Sequence, residues 1–340
     1  VSGHHEPDSR GARSVVGTVV LFVIATVGVV QFMRPSEGMP TAPFENLAAA
    51  VTHSTAPSAA ATADAFGRSG NVKLRFAMPG EQVEFPISLG ADSDSLSYQW
   101  VSVIDSSSTE PPRTLSAASP MAPHRPGFYR MAVLRGVSRE ILAEPTLAVM
   151  MPFSRKLGGS LNGYHIGTYL SERIGGKHEQ PEGFVEVRPE LLDLPITKHL
   201  KLADFVTHDD QGDVWPKYVA LNPRLLDKLE LVFADLGSAV RPELAVDVHS
   251  GFRSPSHNAR VPHSARDSRH QYGDAADIAV DVDGDGRITM ADELLLMLAV
   301  ERVEDANPDL VGGMGVYTSR RYRSPYLHID ARGKKSRWRG

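Results

Sequence analysis

At 340 residues the chain is long enough for one large domain or for two smaller ones with linkers. An apolar fraction of 41% beside 23% charged residues excludes a wholly disordered chain and a multi-spanning membrane protein. The 36 basic and 41 acidic residues leave a net charge of −5, with no overall positive field for nucleic acid, and the absence of cysteine excludes disulfides, thiolate catalysis and cysteine-ligated metals.

A short tail, 1–14, precedes residues 15–33, nineteen residues without a formal charge between Arg13 and Arg34. As a helix this run is about 28 Å long, close to a ~30 Å hydrocarbon core. It is expected to be an uncleaved single-span membrane anchor; a cleavable signal peptide and a buried soluble helix are its rivals. Arg10 and Arg13 before the span, against Arg34 after it, favour a cytoplasmic N-terminus and so place the following domains outside the cytoplasmic membrane. Residues 34–70 are dominated by Ala, Ser, Thr, Pro and Gly without a sustained apolar period, and read as a flexible linker.

Residues 71–150 carry short β-branched and aromatic runs such as LSYQWVSVI and GFYRMAVL, broken at Pro79-Gly80, Pro111-Pro112 and Pro126-Gly127. That pattern predicts a small β-sandwich-like domain with no evident chemistry. Residues 151–194 are turn-rich and read as a connector lying across the next domain. From 195 to 340 the pattern is α+β. Asn222-Pro223 opens a helix whose stripe is Leu225, Leu226, Leu229, Val232, Phe233 and Leu236, Gly237 stops it, and ELAVDV at 243–248 is a strand.

Chemically suggestive residues concentrate between 248 and 277: His249, Arg253, His257, His263, His270, Asp274 and Asp277. Small residues between His270 and Asp277 let a turn bring imidazole and carboxylate to a common point, and His328 in the strand 326–330 is the best third partner, with Asp330 on its side of the strand. Two histidines and a carboxylate suit a catalytic zinc with an open fourth position. The same residues also suit buried histidines satisfied by neighbouring aspartates.

Directly afterwards, 281–292 reads DVDGDGRITMAD. Asp281, Asp283 and Asp285 stand at positions 1, 3 and 5 of a twelve-residue calcium loop, with the Arg287 carbonyl at 7, Thr289 at 9 and Asp292 at 12. The loop resembles a single dockerin-type or EF-hand-like half. A second repeat is missing, so a structural calcium at the exit of the zinc-site strand is expected.

Three motifs carry a wider resemblance. SRHQYGDAAD, 268–277, fits the Ser-x-His-x-x-Gly-x-Ala-x-Asp signature of the M15-type zinc D-alanyl-D-alanine peptidases. SGFRSPSHN, 250–258, resembles the SGYRSPxxN segment of that group. GMGVY followed by PYLHIDARG and RWRG looks like the C-terminal end of its murein-endopeptidase-like branch. The resemblance implies a compact α+β zinc-peptidase domain over 195–340 with a central antiparallel sheet. It makes His270, Asp277 and His328 the zinc ligands, Arg253 the substrate-binding and transition-state-stabilising arginine, and peptidoglycan stem peptides or cross-links the substrate. Carboxypeptidase and endopeptidase action both remain open. Where many members have the basic carboxylate three residues before the last histidine, this chain has Pro325. Asp330 then stands as either the base or an orienter of a ligand histidine, and a non-catalytic wall-binding protein is the alternative function.

Overall fold

The computed structural model describes residues 51–53, 67–85, 87–89, 96–108, 110–115, 120–174, 180–237, 244–318 and 324–340. The expected tail 1–14, the expected span 15–33 and most of the linker 34–70 lie outside the described residues. Among the described residues, no helix is long and apolar enough to cross a membrane.

Residues 71–150 supply β1 (Leu74–Ala77), β2 (Ser97–Ser102), β3 (Arg113–Thr114), β4 (Gly127–Arg135), β5 (Ser138–Ile141) and β6 (Thr146–Val149). Ile87–Leu89 pairs separately with Val51–His53, and the six strands form one sheet in the order β1-β6-β4-β2-β3, with β5 also beside β4. The length of β4 is the reason, because Gly127 to Tyr129 pair with β6 while Ala132 to Arg135 pair with β5, so two strands share one edge. Side-chain alternation sends Tyr98, Trp100, Tyr129, Met131, Val133, Leu147 and Val149 into one core with Val83, Phe85, Leu115 and Ala122. Leu74, Phe128 and Ala148 instead join the larger core of the rest of the chain.

The stretch read as a connector contributes to that larger core through Leu161, Tyr164, Ile166, Tyr169, Phe184, Val185, Val187 and Leu191. It holds β7 (Met151–Pro152), the short helix α1 (Leu170–Ile174) and β8 (Gly183–Val187). β8 lies between β7 and β9 (Lys217–Val219) in a three-stranded sheet.

Helix α2 (Pro223–Gly237) begins where Asn222 Oδ1 accepts the Arg224 amide, and all six residues of its expected stripe are buried. It also buries Asp227, Lys228 and Glu230. Each has partners, as burial of a charge requires. Asp227 accepts the Arg68 and Ser69 amides, Glu230 accepts from His199, and Lys228 donates to Glu304 and to the Asp330 carbonyl.

The C-terminal sheet is built from β10 (Ala245–Ser250), β11 (Ala275–Asp281), β12 (Gly313–Tyr317), β13 (Tyr326–Asp330) and β14 (Ser336–Arg339), with α3 (Pro255–Asn258) and α4 (Met290–Ala306) in the connections. Its order is β10-β11-β13-β12-β14. Pairing is antiparallel, as expected, except at the edge, where β14 runs parallel to β12. Ile278, Val280, Met314, Leu327 and Ile329 turn one face of this sheet to the core it shares with α2 and α4. Asp277 and His328 therefore project from the other face.

Candidate metal centre

One row of residues crosses all five strands of that second face. Ser250 is opposite Asp277, Asp277 opposite His328, His328 opposite Gly315, and Gly315 opposite Trp338. The row brings together residues far apart in sequence by register alone. Gly315 is required in it, because a Cβ there would lie 2.4 Å from the Trp338 ring.

His270 reaches the row from outside the sheet. It sits in a single 3-10 turn, Arg269–Tyr272, that ends at Gly273 with φ 69°, and a Cβ at Gly273 would lie 2.2 Å from the Ala220 carbonyl oxygen. The turn is thereby pressed against the chain before α2, and His270 is held over β11. His270 Nε2, Asp277 Oδ1 and His328 Nδ1 come within 3.0–3.1 Å of one another. All three residues are buried.

The remaining ring nitrogens identify the tautomers. His270 Nδ1 lies 2.6 Å from the Gly251 carbonyl oxygen, which only accepts, so it carries the proton. His328 Nε2 faces Asp330 Oδ2 at 3.2 Å and likewise donates. In the neutral rings His270 Nε2 and His328 Nδ1 then carry lone pairs aimed at the same point as Asp277 Oδ1. Three acceptors so close repel one another unless a cation or a proton stands among them. A tetrahedral ion with bonds of about 2.0–2.1 Å would hold its ligands roughly 3.3–3.4 Å apart, so this donor set fits zinc with a small expansion.

The electrostatics follow from burial and these contacts. Burial lowers the pKa of His270. Burial also opposes a charge on His328, yet the hydrogen bonds to Asp277 and Asp330 prevail and raise it. Asp277, which burial alone would raise, is held well below its ordinary value by His270 and His328.

Asp330 is fully buried. Its oxygens accept from the Gly313 and Arg332 amides, from the Arg332 guanidinium and from His328. Of the two roles open to it, base or orienter of a ligand histidine, these contacts fit the second, with Asp330 lying behind His328 and fixing the ring. Arg253 does border the cleft. Its Nη2 is paired with Asp277 Oδ2 and its Nε donates to Ser250 Oγ at 2.7 Å, so it also steadies the Asp277 carboxylate. His249, at the bulge that ends β10, contacts Ser324 and the Tyr326 ring.

The centre opens into a cleft of about 950 Å³. Its walls include Arg253, His263, Asp267, Ser268, Tyr317, Tyr326 and Trp338. The Tyr317 and Tyr326 rings stack at 4.7 Å, Trp338 Nε1 donates to the Tyr317 hydroxyl, and the Trp338 ring lies 5.1 Å from His328. Sequence reading assigned this aromatic wall no role. Trp338 enters the site through the parallel pairing of β14 with β12, which no local pattern announces.

In the acidic loop, carboxylate oxygens of Asp281, Asp283 and Asp285 lie within 4.8 Å of one another. Asp292 is not among them. Its Oδ1 accepts the Val282 and Asp283 amides and its Oδ2 the Thr289 amide and hydroxyl, while Thr289 Oγ1 accepts the Ala291 amide. Thr289 and Asp292, at positions 9 and 12 of the expected calcium loop, also form the capping box of α4, while the three aspartates cluster with Arg287 on the same loop.

No curated protein and no solved structure matches the chain. A family model does: over residues 198–293, which include Arg253, His270 and Asp277 but end before His328, the chain matches the family described as Peptidase M15, and this supports a peptidase.

Proposed function

We propose that the chain is a zinc-dependent peptidase that hydrolyses peptide bonds in peptidoglycan stems or cross-links, held at the cytoplasmic membrane by 15–33 with its C-terminal domains outside. The observation that carries this reading is the convergence of His270 Nε2, Asp277 Oδ1 and His328 Nδ1 beneath an open cleft. The matched segment contains the first two of these residues, and the β11–β13 register brings the third opposite Asp277.

When bound, zinc supplies Lewis-acid polarisation of a carbonyl and acidification of water. The chain's own residues prepare for it. The Gly251 carbonyl and Asp330 fix the tautomers of His270 and His328, so both present a lone pair without rearrangement. Arg253 holds Asp277 Oδ2 and leaves Oδ1 at the common point. At the cleft edge the same guanidinium is placed to meet a substrate carboxylate or developing oxyanion. With Pro325 inert and Asp330 enclosed, His263 and Asp267, which also accepts from the Tyr272 hydroxyl, are the candidate proton acceptors among the described residues of the cleft wall outside the ligand set.

The acidic loop fits a structural cation in this reading. Asp281 accepts the Gly284 and Gly286 amides, Asp283 that of Asp285, and Asp285 that of Arg287, folding three like charges towards one another. Hard oxygen donors in this arrangement suit calcium. Replacing Asp281 and Asp283 by Asn is expected to abolish a calcium-dependent rise in melting temperature while leaving zinc content unchanged. Millimolar calcium that shifts neither the heat signal nor the melting of the wild type would remove this ion from the account.

The function is tested by mass spectrometry of cross-linked dimers, pentapeptide stems and intact wall after incubation with the zinc-loaded chain. Cleavage that a chelator abolishes and added zinc restores is expected. If all three substrates remain uncut while the wall is bound, the non-catalytic wall-binding alternative replaces the peptidase.

A further inference from the structure

A second cavity, of about 470 Å³, lies beside the metal cleft and shares two wall residues with it, Val261 and Ser264. The segment 261–265 is thus a partition between the two. It is a built feature: Ser264 Oγ donates to the Asn258 carbonyl at 2.7 Å, and Asn258 Nδ2 donates to the Ala265 carbonyl at 3.0 Å. The opposite wall is the stretch 165–173, fastened to α3 where Ser256 donates its amide to the Ile166 carbonyl at 2.9 Å and its hydroxyl to the His165 carbonyl at 3.1 Å. Gly167, with φ 96°, permits this approach; a Cβ there would lie 2.6 Å from the Ser256 nitrogen.

The two cavities differ in charge. In the metal cleft the arginines are matched by aspartates: Arg253 with Asp277, Arg269 with Asp274, Arg332 with Asp330. Among the described residues the second cavity is lined by Arg173, Arg266 and His165 and by no Asp or Glu. Neither Arg173 nor Arg266 has an ion-pair partner among the described residues. Two exposed guanidiniums without an ion-pair partner, lining one concavity in a chain of net charge −5, favour an anion, and guanidinium suits a planar carboxylate best. The volume lies within the range of small-ligand pockets.

We infer that this cavity is a subsite for a carboxylate on a second arm of the peptide substrate, whose scissile bond lies across the 261–265 partition. The inference rests on the peptidase reading of the metal cleft, and it deepens that reading in one direction. A substrate that fills both cavities is branched or cross-linked, so the chain cuts within such a peptide in preference to trimming a single linear end.

The test uses the full zinc-loaded chain and a fluorescein-labelled cross-linked peptide dimer, prepared with a free carboxylate on its second arm and as the matching carboxamide. By fluorescence anisotropy the wild type is expected to bind the acid about tenfold more tightly than the amide, the effect of one charge-assisted recognition. R173Q/R266Q is expected to erase that difference, and R173K/R266K to restore part of it with the same melting temperature. Equal binding of acid and amide by the wild type, or a difference that survives in R173Q/R266Q, overturns the subsite. Hydrolysis of a single-arm peptide is measured in parallel. If no form of the protein cuts any peptide, the peptidase reading fails, while the acid-against-amide comparison still decides whether the cavity takes a carboxylate.

Discussion

A carboxylate beside a candidate metal ligand can serve as a base or as a brace, and the neighbours of Asp330 favour the brace. Arg332, two residues on, and the Gly313 amide, from the adjacent strand, close around it and leave His328 as its partner in the centre. The sequence shows His328 and Asp330 on one side of a strand, which the structure bears out. It does not show which oxygens are occupied, because Gly313 arrives by sheet pairing. Asp330→Asn is expected to weaken zinc binding by about 10–100-fold while leaving full occupancy at saturating metal. The pH dependence gives a second reading. His328 has a raised pKa, so its proton competes with the metal, and zinc affinity is expected to rise as pH climbs through that value. Removing the Asp330 charge takes away one of the two raising influences, and the rise should move to lower pH in the variant. Zinc titrations across pH that gave identical profiles for both proteins would show that Asp330 does not act through His328.

The elements divide into those that local pattern announces and those that only pairing creates. Helix α2 begins at Pro223 and buries the expected stripe, because capping and a 3.6-residue period are local properties. Helix α4 is equally local at its start, where Thr289 and Asp292, positions 9 and 12 of the calcium register, form a capping box. Strand β13 is found where the alternation of Tyr326 to Asp330 places it. β14 is different. Its four residues, Ser336 to Arg339, have no distinctive pattern, and their parallel place beside β12 puts Trp338 against His328. The aromatic wall of the cleft was therefore beyond local reading, although Gly315, the residue that makes room for it, was visible in GMGVY.

For the whole molecule, composition predicts a β-rich domain, a connector and an α+β domain, whereas the core does not stop at those boundaries. Leu74, Phe128 and Ala148 from the first region and Tyr169, Phe184 and Val187 from the second share one core with Leu229, Ile278 and Leu327. The signal was present in β4, where Phe128 and Tyr129 are successive apolar residues on opposite faces, the mark of a strand covered on both sides. Beyond this core, the proposed anchor is tested in cells. Protease added outside spheroplasts is expected to digest the C-terminal region of a chain that fractionates with membrane; digestion only after lysis would reverse the proposed orientation, and a soluble mature chain beginning beyond Ala50 would make 15–33 a cleaved signal.

The central claim is that three residues, one of them beyond the matched segment, hold a single metal ion. Its most direct test is the zinc content of the purified full chain after metal loading and dialysis, compared for wild type, His270→Ala and His328→Ala. About one zinc per wild-type chain is expected, with most of it lost in both variants, because two remaining protein ligands hold the ion far less tightly than three. A His328→Ala protein that keeps its folded melting transition and the wild-type zinc content would contradict the assignment.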